Sequence, residues 1–190
     1  GRHSNRFTSH SAFDQLSVCF CRFRNEMKQS RLIYTSIATA DVVSNETLRD
    51  LSDRAAAANA EHKITGLLIL SGNRFLQVLE GPHRPVNTLY RNIVRDARHH
   101  DVELVTYEPI SSRYFDDWTM RLVDLYDLPR QPRDYLAAKY RHKDGIIQIP
   151  DRLHEVYALL LDAKVLCLSN PWATDDAPDL APHKTAAARD

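Results

Sequence analysis

Cysteine is scarce in this chain of 190 residues, and its scarcity excludes two classes of protein. Only Cys19, Cys21 and Cys167 occur. The odd count argues against a disulfide framework, and no CxxC pair is available for a metal. A reducing, cytoplasmic setting is therefore expected. Long apolar runs are also missing: none approaches the roughly 18 residues that a membrane helix needs. Residues 1–26 lack the long apolar centre of a signal peptide, so no membrane association is expected. An excess of either charge is absent as well. Lys plus Arg and Asp plus Glu each total 25, which gives no overall electrostatic case for a nucleic-acid or membrane partner. No dinucleotide fingerprint is found, since Gly81-Pro82 reads as a turn, and no trustworthy Ser, His, Asp order appears. His99-His100 beside Asp101 comes nearest to a metal group, but adjacent histidines at a helix end read better as solvated, and no metal is expected.

What is present is an ordinary globular composition, 43% hydrophobic and 26% charged. The length fits one domain with appendages. Residues 1–29 are patternless and read as an N-terminal extension or tag remnant, with Met27 close to the start of the folded unit; a helix at 13–26 packed on the domain is the alternative. A β-rich strand is expected over Arg31–Ser36. Ser44 to Thr47 offers a helix N-cap, and Leu48, Leu51 and Ala55 continue at helical spacing to about Asn59. Ile64–Leu70 and Arg74–Glu80 form a hairpin around Gly72-Asn73. A second helix spans Pro85–Arg95, with Val86, Leu89, Tyr90 and Ile93 as its apolar stripe. Strands follow at Asp101–Ile110 and Asp117–Val123. The order βαββαββ begins with the ferredoxin-like pattern, an α+β sheet with two helices on one face. Leu67 to Leu70 is apolar at every position, so the other face also needs a cover. Residues 126–168 supply it, with short helices around Tyr135–Ala138 and Leu153–Leu161. Residues 169–190, rich in Ala, Pro and Asp, read as a disordered tail.

Some residues do not suit a plain core. By strand alternation Leu32, Tyr34 and Ser36 share a face, as do Phe75, Gln77 and Leu79, and Trp118, Met120 and Leu122. Gln77 is a primary amide placed mid-strand between Leu76 and Val78. Left unpaired, its polar atoms would cost on the order of 1–3 kcal/mol each. Either Gln77 belongs to a satisfied structural network with Tyr34, or it bonds a buried polar ligand. Asn59 poses the same alternative: a left-handed helix terminus, or a ligand contact. The basic run Arg91, Arg95, Arg98, His99 and His100 is either a solvated face or an anion contact.

These motifs together resemble the BLUF family of blue-light sensors that use FAD. The resemblance rests on Arg31 to Ser36, on Asn59 with Ile64 to Leu68, and on Gly72 to Gly81. It continues through Arg95 to His99, Tyr107 to Ile110 and Arg113 to Met120, covering residues 31–124. It implies a flavin between the two helices, on the face that carries Tyr34 and Gln77. The family's photoactive tyrosine and glutamine correspond to Tyr34 and Gln77, and its tryptophan and methionine to Trp118 and Met120. Its flavin contacts correspond to Ser36, Leu51, Asn59, Ile93, Arg98 and His99. Ala58 departs from the polar or aromatic residue that relatives often carry there.

The resemblance further implies a light sensor over residues 30–125 rather than an enzyme. FAD is held non-covalently, with FMN or riboflavin as alternatives. Light-driven electron and proton transfer from Tyr34 rearranges the hydrogen bonds of Gln77, and the change leaves through the C-terminal helices. A homo-oligomer and a signalling protein partner are expected, with no direct nucleic-acid contact and no attached output module. The rival readings are a flavin-dependent oxidoreductase on the same scaffold and a binding module that has lost light sensing.

Overall fold

The computed structural model describes residues 28–40 and 45–169. Residues 1–27 of the expected extension, the Ser44 cap and the tail from residue 170 lie outside the described residues, whereas Gln29, placed in that extension, opens the first strand. The chain begins with strand β1 (Gln29–Ala38), helix α1 (Asn45–Glu61), and strands β2 (Thr65–Ser71) and β3 (Arg74–Pro82). Helix α2 (His83–Val94) and strands β4 (His99–Ile110) and β5 (Arg121–Asp124) follow. Helix α3 (Arg130–Lys139), the short strands β6 (His142–Lys143) and β7 (Ile146–Ile147), and helix α4 (Leu153–Ser169) complete it. The main sheet has five strands in the order β4-β1-β3-β2-β5. Only the β2–β5 pair is parallel. This is the expected ferredoxin-like α+β fold, extended by β5.

Local chemistry explains the hairpin at its centre. Gly72 has φ of 63° at the first position of a two-residue loop, where an L side chain would be strained. A Cβ on Gly66 would lie 2.3 Å from the Val78 carbonyl oxygen, so only glycine lets β2 approach β3 there. The apolar run of β2 follows from a sheet covered on both sides. Leu68 and Leu70 pack with Leu32, Tyr34, Phe75, Leu79 and Val86 beneath α1 and α2. Leu67 and Ile69 pack with Ile33, Leu76, Val78 and Phe115 beneath a cap built from Leu136, Val156, Leu159, Leu160 and Ala163.

A buried ion pair pins the cap side. Arg31 is 5% exposed and Glu80 0% exposed, and Arg31 Nε donates to Glu80 Oε1 at 2.6 Å. The second Glu80 oxygen accepts the backbone N–H groups of Tyr114 and Phe115, each at 2.8 Å. Tyr157 of α4 donates to Glu108, which also accepts from Arg31.

Three expectations need correction. The fifth strand is not Asp117–Val123 but Arg121–Asp124. The backbone before it is engaged elsewhere: Trp118 O accepts from Gly66 N–H at 3.2 Å, and Thr119 O from the Asn59 side chain at 2.9 Å. Consequently Trp118 does not share a face with Met120. Trp118 packs against the cap-side core, whereas Met120 belongs to the core under α1 and α2. Asn59 is not a left-handed terminus either: the helix runs past it to Glu61, and Lys63 takes the positive φ, 56°. The β6–β7 hairpin and the final turns of α4 had no visible signal. Their residues lack a regular period, and α4 carries apolar residues on its exposed side (Leu161, Val165, Leu168) as well as on the side pressed into the cap.

Candidate functional site

Tyr34 and Gln77 are register partners on the central strands β1 and β3. Pairing in the middle of the sheet holds their side chains together on one face. The Tyr34 hydroxyl donates to Gln77 Oε1. Gln77 Nε2 is directed at Met120 Sδ, 3.3 Å away. Both partners are nearly inaccessible, at 4% and 5% exposure. Burial first, then the neighbouring Tyr90 and Asp96, pushes the Tyr34 phenol far above its ordinary pKa. It therefore keeps its proton and acts as a donor.

These residues wall a cavity of about 560 Å³ between the sheet, α1 and α2. The size suits a small-molecule or cofactor ring. Leu51, Ala58 and Asn59 enter from α1, and Ile93 from α2. Asn59 is 2% exposed and bonds Thr119 O, tying α1 to the residue before Met120. Arg98 and His99 line the outer end. His99 Nδ1 is buried without a hydrogen-bond partner among the described residues. A buried orphan nitrogen at a cavity wall is suited to bonding a polar ligand atom. Burial foremost holds the His99 imidazole below its ordinary pKa, so it is neutral near pH 7.

The sequence-derived list is gathered with two exceptions. Trp118 is turned to the cap side. Ser36 is 1% exposed and pairs with Phe75, but it does not reach the cavity wall. Sequence reasoning missed Asp96, Tyr90 and Phe75. Asp96 lines the cavity and grips Arg98, with Nε to Oδ1 at 2.9 Å and Nη2 to Oδ2 at 2.5 Å. The hydrogen bond from Arg98 holds the Asp96 carboxyl below its usual range. The spacing of Asp96 to Arg98 was the available signal. The Tyr90 ring lies 5.8 Å from the Tyr34 ring, tilted by 54°, but its place in the apolar stripe of α2 hid it. Among the described residues no group of His, Cys, Asp and Glu could hold a metal. No described helix is long and apolar enough to cross a membrane.

Residues 30–121 match the family described as sensors of blue light using FAD. This segment is a BLUF domain. FAD is the family's cofactor, and the donor set fits a flavin: an amide pair at Asn59 and Gln77, apolar walls at Leu51 and Ile93, and an orphan nitrogen at His99. The blue light- and temperature-regulated antirepressor BluF of Escherichia coli is 29% identical over 97 residues, covering 50% of this chain and 24% of that protein. The photoactivated adenylate cyclase subunit beta of Euglena gracilis is 39% identical over 90 residues, 47% of this chain and 10% of its own. This chain thus spans a quarter or less of those relatives. Among solved structures, the dark state of BlrB, a BLUF protein, has TM-score 0.57 at 28% identity, covering 74% of this chain and 96% of BlrB. BlsA in its ground state shares the fold, with TM-score 0.61 at 22% identity, covering 71% of this chain and 87% of BlsA.

Proposed function

We propose that this BLUF protein is a non-enzymatic, cytoplasmic photoreceptor whose Tyr34–Gln77 pair converts blue light into a rearranged hydrogen-bond network. The observation that carries the reading is the buried donation from Tyr34 to Gln77 Oε1 at the wall of a flavin-sized cavity. Bound there, a flavin supplies a blue-absorbing one-electron oxidant. Tyr34 is the phenol placed to give up an electron and its proton, and Gln77 Oε1 is the atom placed to take that proton. Gln77 then reorganises by rotation or tautomerisation. Either change alters what Nε2 offers to Met120 Sδ and to the cavity. Asn59 and His99 would offer a flavin hydrogen bonds, Leu51 and Ile93 would give it apolar contact, and Arg98 would meet its phosphates once released from Asp96.

Met120 is the exit, and the segment before it leads to the cap. Lys164 of α4 bonds the Tyr114 carbonyl and meets Asp117 Oδ2 at 2.6 Å. A shift of Met120 therefore pulls on α4 through residues 114–118 as well as through residues 124–150. This is a two-state element biased by one amide. The signal passes to a protein partner, with a homo-oligomer as the receiving assembly.

An absorption spectrum in the dark and just after blue light tests the function. A flavin band with a small reversible red shift is expected, and Gln77→Ala removes the shift while keeping the band. A flavin band that never moves, or one that turns over reduced nicotinamide, overturns the reading. Hydrogen exchange tests the exit: Met120→Ala keeps the spectral shift but loses light-dependent changes in residues 125–165.

A further inference from the structure

The two edges of the sheet are finished differently. Strand β4 is interrupted by register shifts against β1, a positive φ of 50° at Asp101, and Pro109. Such irregularity and proline blunt an edge against pairing. Strand β5 is blunted only by its shortness and by the charges of Arg121 and Asp124. It is regular over Arg121–Asp124, and no described strand pairs with its outer side. The Leu125 N–H donates to Leu70 O, which sets the alternation of the parallel ladder. Arg121 and Val123 turn their backbone groups to β2, so Leu122 and Asp124 turn theirs outward.

Beside this edge lies a cavity of about 320 Å³, distinct in position from the flavin cavity and sharing Met120 with it. Its wall includes Asp53 of α1, Asp124 and Asp127 beyond Met120, Leu128, and Cys167 of α4. Arg49 and Arg121 also line it, and Arg121 is engaged with Cys167. Three carboxylates thus face two guanidiniums, and the buried, protonated Cys167 thiol offsets neither charge. Burial first, and Asp127 besides, raise the Asp124 carboxyl above its usual range. A cation arriving here would relieve that strain.

We infer that the open edge of β5 is a docking site for an extended, basic segment of a partner protein. The segment's main chain pairs with Leu122 and Asp124, and its Lys or Arg side chains meet Asp53, Asp124 and Asp127. Strand addition gives affinity through backbone hydrogen bonds and specificity through alternate side chains. The chain's own residues 171–182 are a poor occupant. They carry Asp175, Asp176 and Asp179, which repeat the groove's charge, and Pro171, Pro178 and Pro182, which cannot donate to a ladder. A docked strand begins two residues from Met120, beside the wall of the flavin cavity. The inference rests on the photoreceptor reading for its purpose, not for its existence.

The test uses the full chain in darkness, so its failure is separate from failure of the photocycle. A short labelled peptide alternating lysine and valine is titrated by fluorescence anisotropy. Binding tighter than about 1 mM is expected. It should weaken by about tenfold when alternate peptide amides are N-methylated, and by a similar factor in the Asp124→Asn, Asp127→Asn double variant. Hydrogen exchange should slow at the amides of Leu122 and Asp124. Flavin absorbance of the double variant checks that it folds. No binding overturns the inference, whether a second copy or residues 170–190 already hold the edge. Equal binding of the N-methylated peptide, or of one alternating glutamate and valine, overturns it too.

Discussion

On the cap side of the sheet Phe115, Leu136, Leu159 and Leu160 are wholly enclosed. The polar groups there close among themselves, with Arg31 on Glu80 and Glu80 on two backbone N–H groups. On the helix side Tyr34, Asn59 and Gln77 are just as buried, yet they surround a cavity of about 560 Å³ and leave His99 Nδ1 unpartnered. The strands are the same on both sides, and alternate residues of one β2 run serve each. The difference is in the covering elements. The cap presses an apolar α4 flat on the sheet, whereas α1 and α2 stand apart around the cavity. A face built for stability satisfies its polar atoms internally. A face built for a ligand leaves some of that work to the ligand.

Substitutions on the two faces should therefore separate function from stability. The largest expected effect is on the helix side. Tyr34→Phe should abolish the light-induced shift entirely while costing only about 1 kcal/mol of stability, the scale of one lost hydrogen bond. Difference spectra and urea unfolding of the same sample read both quantities. On the cap side the pattern should invert. Glu80→Gln leaves Arg31 short of its buried partner and is expected to cost about 3 kcal/mol, with the flavin spectrum unchanged. Thermal melts with and without light would show whether the two faces are as separate as claimed. Leu160→Ala, at 0% exposure, should cost about 2–4 kcal/mol with the shift preserved. A lost photocycle in either cap variant would erase the contrast.

The smallest effect concerns pH. The folded state holds His99 below its ordinary value of 6.5. The unfolded chain thus binds more protons in that range, and stability rises with pH there. The contribution of His99 is full above about pH 6.5 and is lost as pH falls through that value toward the lower folded one. His99→Phe should flatten this part of the stability profile, measured by urea midpoints across acidic to neutral pH on flavin-free protein. An unchanged slope would mean that His99 is not desolvated as described.

Much of the helix side was legible because it obeys short periods. The alternation of Leu32 with Tyr34, and of Phe75 with Gln77 and Leu79, marked Tyr34 and Gln77 as polar members of largely apolar strand faces. An amide between Leu76 and Val78 flagged itself as out of place. Extending alternation to Trp118 and Met120 failed, because period two holds only where the ladder holds. The backbone there serves Gly66 and Asn59 instead. Ser36 misled for a related reason: sharing a face with Tyr34 does not bring a side chain to the cavity, whose wall at that level is made by Phe75 and His99 instead. Asp96 escaped notice because a carboxylate beside arginines reads as surface.

The amino-acid sequence by itself determined the order of elements, the two-sided burial of the central strands and the faces of their own strands on which Tyr34 and Gln77 stand. Each depends on neighbours at fixed short spacing along a strand or helix. Only the tertiary structure decided that Met120 rather than Trp118 faces Gln77, that Glu80 locks the loop before β5, and that β5 is left with an open edge. Those outcomes depend on which distant backbone groups compete for the same partners, and no local period records that competition.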